Sequence, residues 1–251
     1  MSSPQVSIIM PCHNGAKTIA DAIRSVQCQT YCDWELLVIN DNSTDESVNI
    51  VSTFCEQDSR IILLENKTPT GFPATPRNVG IRAARGRFIA FLDCDDVWES
   101  TKLTNQVALF DNQKIAVVFS FYKKMDENGA IRQAIIKSPA QVDYENLLAG
   151  NCIGNLTGIY DTALVGKNFQ KEIHHEDYLM WLEILSKGFF ATNTCTVEAI
   201  YRESSNSVSG GKLKSLLWTW NLYKKELKLP FIKSCICFFH YAMKGLVKFS
   251  K

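Results

Sequence analysis

Four short apolar runs punctuate the first hundred residues: VSIIM at 6–10, ELLVI at 35–39, RIILL at 60–64 and RFIAFL at 87–92. Between them the apolar residues change period. Ile19, Ala22, Ile23 and Val26 recur at helical spacing, and so do Val48, Val51 and Phe54. Alternation of strand and helix is the pattern of a parallel sheet covered on both faces, because parallel neighbours need a crossover long enough to be a helix.

The fourth run ends unusually. RFIAFLDCDDVW (87–98) passes from a buried strand directly into Asp93, Asp95 and Asp96. Ligands of an open α/β sheet collect beyond the carboxyl ends of its strands, where Asp residues at alternate positions reach one divalent cation together. An Asp-rich turn that merely solvates a strand end is the plainer reading of the same residues. Asp41 follows the second strand. In the helix after it, Ser43 and Glu46 have the spacing of a capping box and Asp45 falls in the first turn, where the helix dipole favours a negative charge. The helix therefore accounts for Asp45. It does not account for Asp41, which is expected at the rim of the sheet, free to meet a ligand.

After Asp96 the rhythm changes. A helix is expected near 99–113, then an antiparallel hairpin in which IAVVFSFY and AIRQAIIK flank DENG, a helix near 143–149, a strand near 155–160 and a helix opening at HHEDYLMWLEIL. This second half reads as a cap that completes a cleft over the sheet edge. The Pro/Gly-rich stretch KTPTGFPATPRN (67–78) lies near the acidic strand end and has the composition of a loop that closes over a substrate.

With 251 residues, 46% of them hydrophobic, the chain has enough material for one substantial core, or for a nucleotide-binding half with a smaller appended half. Lys+Arg 27 against Asp+Glu 26 gives a net charge of +1, so nothing global favours a nucleic acid or another polyanion. Nine Cys occur without a C-x-x-C pair, and His13, His174, His175 and His240 lack zinc-finger spacing. Most of the thiols read as small buried hydrophobes of a reducing cytosol. The opening MSSPQVSIIMP has no basic stretch before its first apolar strand and is not expected to be a signal peptide. At the other end, Pro230 breaks the preceding helix. If 231–249 is helical, Lys233, His240, Lys244, Lys248 and Lys251 fall near one face while Phe, Ile, Leu and Cys fill the rest. Charges at 233 and 244 leave too short a run to span a bilayer, so the segment reads as a helix lying in the interface, with packing on the protein's own core as the alternative.

SIIMPCHNGAKTIADAIRSVQCQT, WELLVINDNSTDES, PRNVGIRAARGRFIAFLDCDDVW and HEDYLMWLEILSKG, in that order across residues 5–210, closely resemble the inverting family 2 glycosyltransferases. In particular they resemble the bacterial enzymes that build O-antigen, capsule or other exopolysaccharide repeat units. The resemblance implies an α/β GT-A fold: a Rossmann-like, mostly parallel sheet flanked by helices, with a C-terminal acceptor-side region and C-terminal amphipathic helices. It implies a glycosyltransferase domain over 1–210, with 1–98 binding the nucleotide sugar and 99–210 the acceptor and catalytic half. Residues 211–251 would form a helical region for membrane-surface attachment.

The resemblance also implies roles. Pro11, His13, Asn14 and Asp41 correspond to positions that hold the uridine of a UDP-sugar, with Asp41 accepting from the uracil N3 proton and His13 stacking on the base. The family commonly has two adjacent Asp residues where this chain has Asn40 and Asp41, so the base contact rests more heavily on Asp41. Asp93, Cys94 and Asp95 match the D-x-D motif that holds Mn²⁺ or Mg²⁺ against the donor diphosphate, with Asp95 as the direct ligand and Asp93 beside it. Arg77 would fork onto the phosphates, and an Arg at a helix start, unfavourable for the dipole, itself argues for an anion nearby. Asp177 in HHEDY matches the catalytic base, and the adjacent Glu176 would hold the acceptor or cap the helix. Arg202 and Ser207 in YRESSNSVSG match a loop that folds over the donor phosphates, where a plain loop is the competing reading.

The implied reaction moves galactose, glucose or an N-acetylhexosamine from a UDP-sugar to a lipid-linked saccharide, carried on undecaprenyl diphosphate, by a peripheral protein at the cytoplasmic face of the inner membrane. Two alternatives differ in kind. A sugar-phosphate nucleotidyltransferase should carry an amino-terminal Gly-rich, Arg-bearing phosphate loop, which CHNGAKT does not supply. A non-catalytic nucleotide-sugar-binding protein should show a damaged base or metal motif, and both are intact.

Overall fold

The computed structural model describes residues 3–203 and 212–249. Strands β1 (Val6–Cys12), β2 (Trp34–Asn40), β3 (Ile61–Glu65) and β4 (Phe88–Phe91) lie parallel in the order β3-β2-β1-β4. Helices α1 (Ile19–Gln27), α2 (Ser47–Gln57) and α3 (Ala74–Ala83) make the crossovers. The period-two geometry of a strand sorts its residues between two cores. Ile8, Met10, Leu36, Val38 and Ala90 pack with Ile19, Ala22, Ile23 and Val26 of α1, while Ile9, Leu37, Ile39, Ile89 and Phe91 face the other way. Because β1 sits between β2 and β4, strand order reverses there, and a crevice opens beyond the carboxyl ends of β1 and β4.

The same sheet continues through the second half. It adds β5 (Val97–Trp98), β6 (Ile115–Met125), β7 (Gln141–Val142), β8 (Ile159–Asp161) and β9 (Phe190–Arg202), in the order β4-β8-β6-β9-β5 with β7 paired to β9. Beyond β4 the pairing is mixed: β8 is antiparallel to β4 and β6, whereas β6 and β9 run parallel. The helices are α4 (Lys102–Val107), α5 (Tyr144–Leu148), the one-turn α6 (Thr162–Val165), α7 (Glu176–Leu185), α8 (Lys212–Asn221) and α9 (Phe231–Phe249).

Several local expectations change. The helix near 99–113 is α4 followed by a 3₁₀ turn, Ala108–Asp111. DENG does turn the chain, with Asp126 Oδ1 accepting from the Asn128 and Ala130 amides at 2.9 Å each. Its return arm, however, meets β6 only at the isolated bridges Tyr122–Ile136 and Met125–Ile131. The arm has no core to cover, since Ile131 and Ile135 stay exposed. The capping box does not form. α2 begins at Ser47, Glu46 makes no cap bond, and Ser43 turns back to β1, donating to the Cys12 carbonyl at 3.3 Å. Asp45 instead precedes the helix, accepting from the Ser47 amide and from the Ala16 amide, each at 3.0 Å. The Pro/Gly-rich stretch is loop only up to Pro73, because α3 starts inside it.

At the end of the sheet opposite the crevice, Ser7 donates to Glu35 at 2.7 Å and accepts from the Gly86 amide at 2.8 Å, while Arg85 Nε donates to Glu35 at 2.8 Å. A β-carbon at Gly86 would sit 2.6 Å from the Ser7 nitrogen and 2.8 Å from the Val6 carbonyl carbon. Backbone cannot yield as a side chain can, so Gly86→Ala is expected to destabilise the fold by about 3 kcal/mol or more, at the upper end of overpacking costs. Urea unfolding checks this, and an unchanged midpoint would contradict it.

Candidate active site

Sequence-predicted residues gather along the crevice. Pro11 is still within β1 rather than after it, and His13 and Asn14 lead out of the strand. His13 is exposed, and its Nδ1–H donates to the Asp41 carbonyl at 2.7 Å. Asn14, in the left-handed region at φ 52, accepts from the Thr44 amide at 2.8 Å and donates its own amide to Ser43 at 3.1 Å. The loops after β1 and β2 are thus stitched together. Asp41 is not wholly free: its Oδ1 accepts from Asn66 Nδ2 at 2.6 Å, and among the described residues Oδ2 has no hydrogen bond. Asn40 is spent structurally, donating to Glu65 at 2.8 Å and accepting from the Ser43 amide at 3.0 Å.

At the end of β4 the acidic residues separate in role. Asp93 Oδ1 accepts from Arg77 Nη2 at 2.7 Å. Cys94 turns inward, toward the floor of the crevice. Its sulfur would stand 2.8 Å from a β-carbon at Gly15, and its free thiol shares a hydrogen bond with that of Cys12, drawing the Cys12 thiol down to about 6 and its own up. Asp96 is buried, and its Oδ1 accepts from the Arg202 amide at 2.8 Å. Burial, then the charges of Asp95 and Asp93, push its carboxyl well up. Asp95 is also raised, by burial first and the Asp93 charge second. Arg202, the last residue of β9, does reach this acidic turn, but it donates to the backbone carbonyls of Asp95 at 2.8 Å and Glu127 at 3.3 Å. Ser207 lies outside the described residues.

The anion expected near Arg77 is internal. Its guanidinium, 5% exposed, donates to Asp93 at 2.7 Å and to Glu176 at 2.8 Å, bridging the end of β4 to the start of α7. Burial opposes its charge, yet the two carboxylates outweigh that and hold it above its ordinary range. Gln170 Oε1 lies 3.4 Å from Nη1, and Gln170 is itself held by paired bonds to Asn78 of 2.7 and 2.8 Å. Glu176 therefore anchors Arg77 rather than capping α7. Next to it in the first turn, Asp177 accepts from Asn151 Nδ2 at 3.3 Å. Its carboxyl is pushed up to about 7, by burial first and the neighbouring Glu176 second, with Arg77 pulling the other way. His175 sets the entry to α7 from the left-handed region, at φ 65. The 67–73 loop reaches this turn, with Phe72 and His174 ring centroids 5.9 Å apart.

The donor set at β4 suits a hard cation. Asp95 is a carboxylate raised by burial and like charge, with no side-chain hydrogen bond among the described residues, so added positive charge would relieve it. Among the described residues no three carboxylate, imidazole or thiolate groups converge as a self-sufficient metal cage. A Mg²⁺-type ion needs none, since one or two carboxylates suffice when phosphate oxygens and water complete the shell. Asn66, Asn151 and Gln170 are absent from the sequence-predicted set. Each is a lone amide in a loop, and no spacing rule marks it. Asn78 did carry a signal, standing beside Arg77 in PRN.

The sequence profile of glycosyl transferase family 2 matches residues 7–165. The chain is 37% identical over 243 residues to the UDP-Glc:alpha-D-GlcNAc-diphosphoundecaprenol beta-1,3-glucosyltransferase WfaP of Escherichia coli, covering 97% of this chain and 94% of that one. Its fold matches S. aureus TarS 1-349 in complex with UDP-GlcNAc with a TM-score of 0.74 at 21% identity, over 95% of this chain and 71% of that one. The mannosyltransferase PcManGT from Pyrobaculum calidifontis, in complex with GDP-Man and Mn²⁺, gives a TM-score of 0.73 at 17% identity, over 96% of this chain and 70% of that one. The chain belongs to glycosyl transferase family 2 and has the GT-A fold.

Proposed function

We propose that this family 2 glycosyltransferase moves a hexose, with glucose the leading candidate, from a UDP-sugar to a lipid-linked saccharide at the cytoplasmic face of the inner membrane. The bond formed would be β if the donor is α. Undecaprenyl diphosphate is the carrier proposed, on the pattern of the Escherichia coli relative's substrate. One observation carries the assignment. Arg77 ties the metal-suited strand end at Asp93 to the first turn of α7, where Asp177 has a carboxyl raised to about 7.

Asp41 accepts a hydrogen bond from uracil N3–H on the oxygen that Asn66 leaves open, and His13 and Asn14 flank the base. Asp95, with Asp93, would hold Mn²⁺ or Mg²⁺, through which the donor diphosphate would be bound. The chemistry such an ion would supply is positive charge against the departing diphosphate. Asp177 takes the proton of the acceptor hydroxyl as its oxygen attacks the anomeric carbon, and the bond to the nucleoside diphosphate breaks on the opposite side. One carboxylate suffices, because no covalent intermediate is formed. Arg77 is a positioning residue here: Nη1 is taken by Glu176 and Nη2 by Asp93, while Nε has no partner among the described residues, so the guanidinium orients the two ends of the site.

Calorimetric titration with UDP tests this, in Mn²⁺ and then in EDTA, with GDP as control. UDP is expected to bind in Mn²⁺, to weaken at least about tenfold in EDTA, and to weaken similarly in Asp95→Asn, since each change removes the same charge contact. Binding that ignores both EDTA and the substitution would sink the metal assignment, and a preference for GDP would sink the uridine one.

A further inference from the structure

Helix α9 packs with only part of its circumference. Ser234 and Cys237 are buried, Phe238 meets Trp220 edge-on with centroids 5.5 Å apart, and the Tyr241 hydroxyl lies 2.8 Å from Ser215 Oγ on α8. The opposite side is apolar and bare. Ile232, Ile236, Phe239 and Met243, spaced to fall on one helical stripe, are 74%, 54%, 63% and 44% exposed. Phe231 and Leu217 of α8 are exposed beside it. A contiguous bare apolar stripe on a folded chain marks a contact surface rather than chance exposure.

Charge identifies the partner. After Glu226 the sequence has Lys228, Lys233, Lys244, Lys248 and Lys251 and neither Asp nor Glu, with Lys233 itself paired to Glu145 at 2.6 Å. An apolar stripe on a segment of net positive charge complements an anionic bilayer interface: the stripe enters the headgroup boundary and the surplus positive charge is drawn to the lipid phosphates. Among the described residues no helix is long and apolar enough to cross a membrane. A protein groove or a second copy of the chain would match the stripe but not the segment's surplus of positive charge. We infer that α9 docks flat on an anionic lipid surface through Ile232, Ile236, Phe239 and Met243.

The packed side of α9 is coupled to the catalytic turn. Tyr241 holds Ser215, whose Oγ is 3.3 Å from His175 Nε2, and Trp218 of α8 stacks on His174 at 3.8 Å. A bilayer under α9 therefore fixes the height of the α7 turn above the headgroups, where a lipid-linked acceptor presents its sugars. That consequence rests on the transferase assignment, whereas the docking itself does not.

Flotation of the full chain with phosphatidylglycerol-containing vesicles, against phosphatidylcholine alone, tests the docking. The protein is expected to float with the anionic vesicles and to be released by salt. The double variant Ile236→Glu, Phe239→Glu should float at least about tenfold less, with its melting temperature and UDP binding unchanged. A wild-type chain that stays at the bottom of the gradient, or a double variant that floats as well as wild type, overturns the inference. So does light scattering that shows a dimer which the double variant dissociates, which would give the stripe to a second copy. Loss of UDP binding in the wild type would strike the transferase assignment and leave the flotation result standing.

Discussion

Asp177→Asn is expected to lower sugar transfer by roughly 10²–10⁴-fold or more while leaving UDP binding within about twofold. The substitution keeps the shape of the side chain and its contact with Asn151, and it removes the capacity to take a proton together with the charge of the ionised form. The pH profile separates this from a structural effect. With the Asp177 carboxyl pushed up to about 7 by burial and by Glu176, the wild-type rate should climb with pH through that value, because the base works only when ionised. Asp177→Asn should show no such limb.

Stability should move the other way. A carboxyl whose folded-state pKa is raised contributes stability at low pH that is lost as pH rises through about 7. At pH 8 the Asn variant should therefore be at least as stable as wild type. A variant that turns over substantially, or one that fails because it melts early at pH 8, would remove Asp177 from the role of base.

The part of the protein legible in its sequence is the part governed by periodicity. α1 could be read because its apolar face buries Ile19, Ala22, Ile23 and Val26 with nothing else competing for them. β1, β2 and β4 could be read because nearly all of their residues are buried on both faces, which only a covered sheet requires. Local rules failed where a distant group made a better offer. Ser43 has the spacing of a cap, yet the Cys12 carbonyl and the Asn14 amide of another strand's loop take its hydroxyl. The 130–137 arm flanks a turn as a hairpin strand would, but no core lies beneath it. In the site, carboxylates at strand ends announced themselves, because no helix or core explains a charge there. Their partners did not: Asn66, Asn151 and Gln170 gain meaning only from the crevice that folding builds around them. Arg77 lay between these cases. Its awkward place in a helix's first turn implied an anion, and the sequence could not say that the anion would come from the protein, at Asp93 and Glu176, residues 16 and 99 positions further along the chain.

That placement makes Arg77→Met the most disruptive single change expected in the site. The side chain is nearly the right volume for the cavity, so the loss is one of charge. Asp93 and Glu176 would face each other unpaired beside Asp177, and breaking a buried ion pair by removing one partner costs about 3–5 kcal/mol. The deficit should widen as pH rises, because carboxylates left without their cation stay neutral in acid and repel one another once ionised. Arg77→Lys should recover only part of the loss. One ammonium is a point charge, whereas the guanidinium uses Nη1 for Glu176 and Nη2 for Asp93, and that fork is what sets the distance between the end of β4 and the first turn of α7. In the Lys variant, stability should therefore return further than the transfer rate does, because folding needs a cation in the gap while catalysis needs the base held at a fixed reach from the donor. Equilibrium urea unfolding at about pH 6 and about pH 8, roughly one unit either side of the Asp177 value of about 7, together with steady-state transfer rates would read both. If Arg77→Lys restored rate and stability in equal measure, the guanidinium would be neutralising the site without setting its geometry.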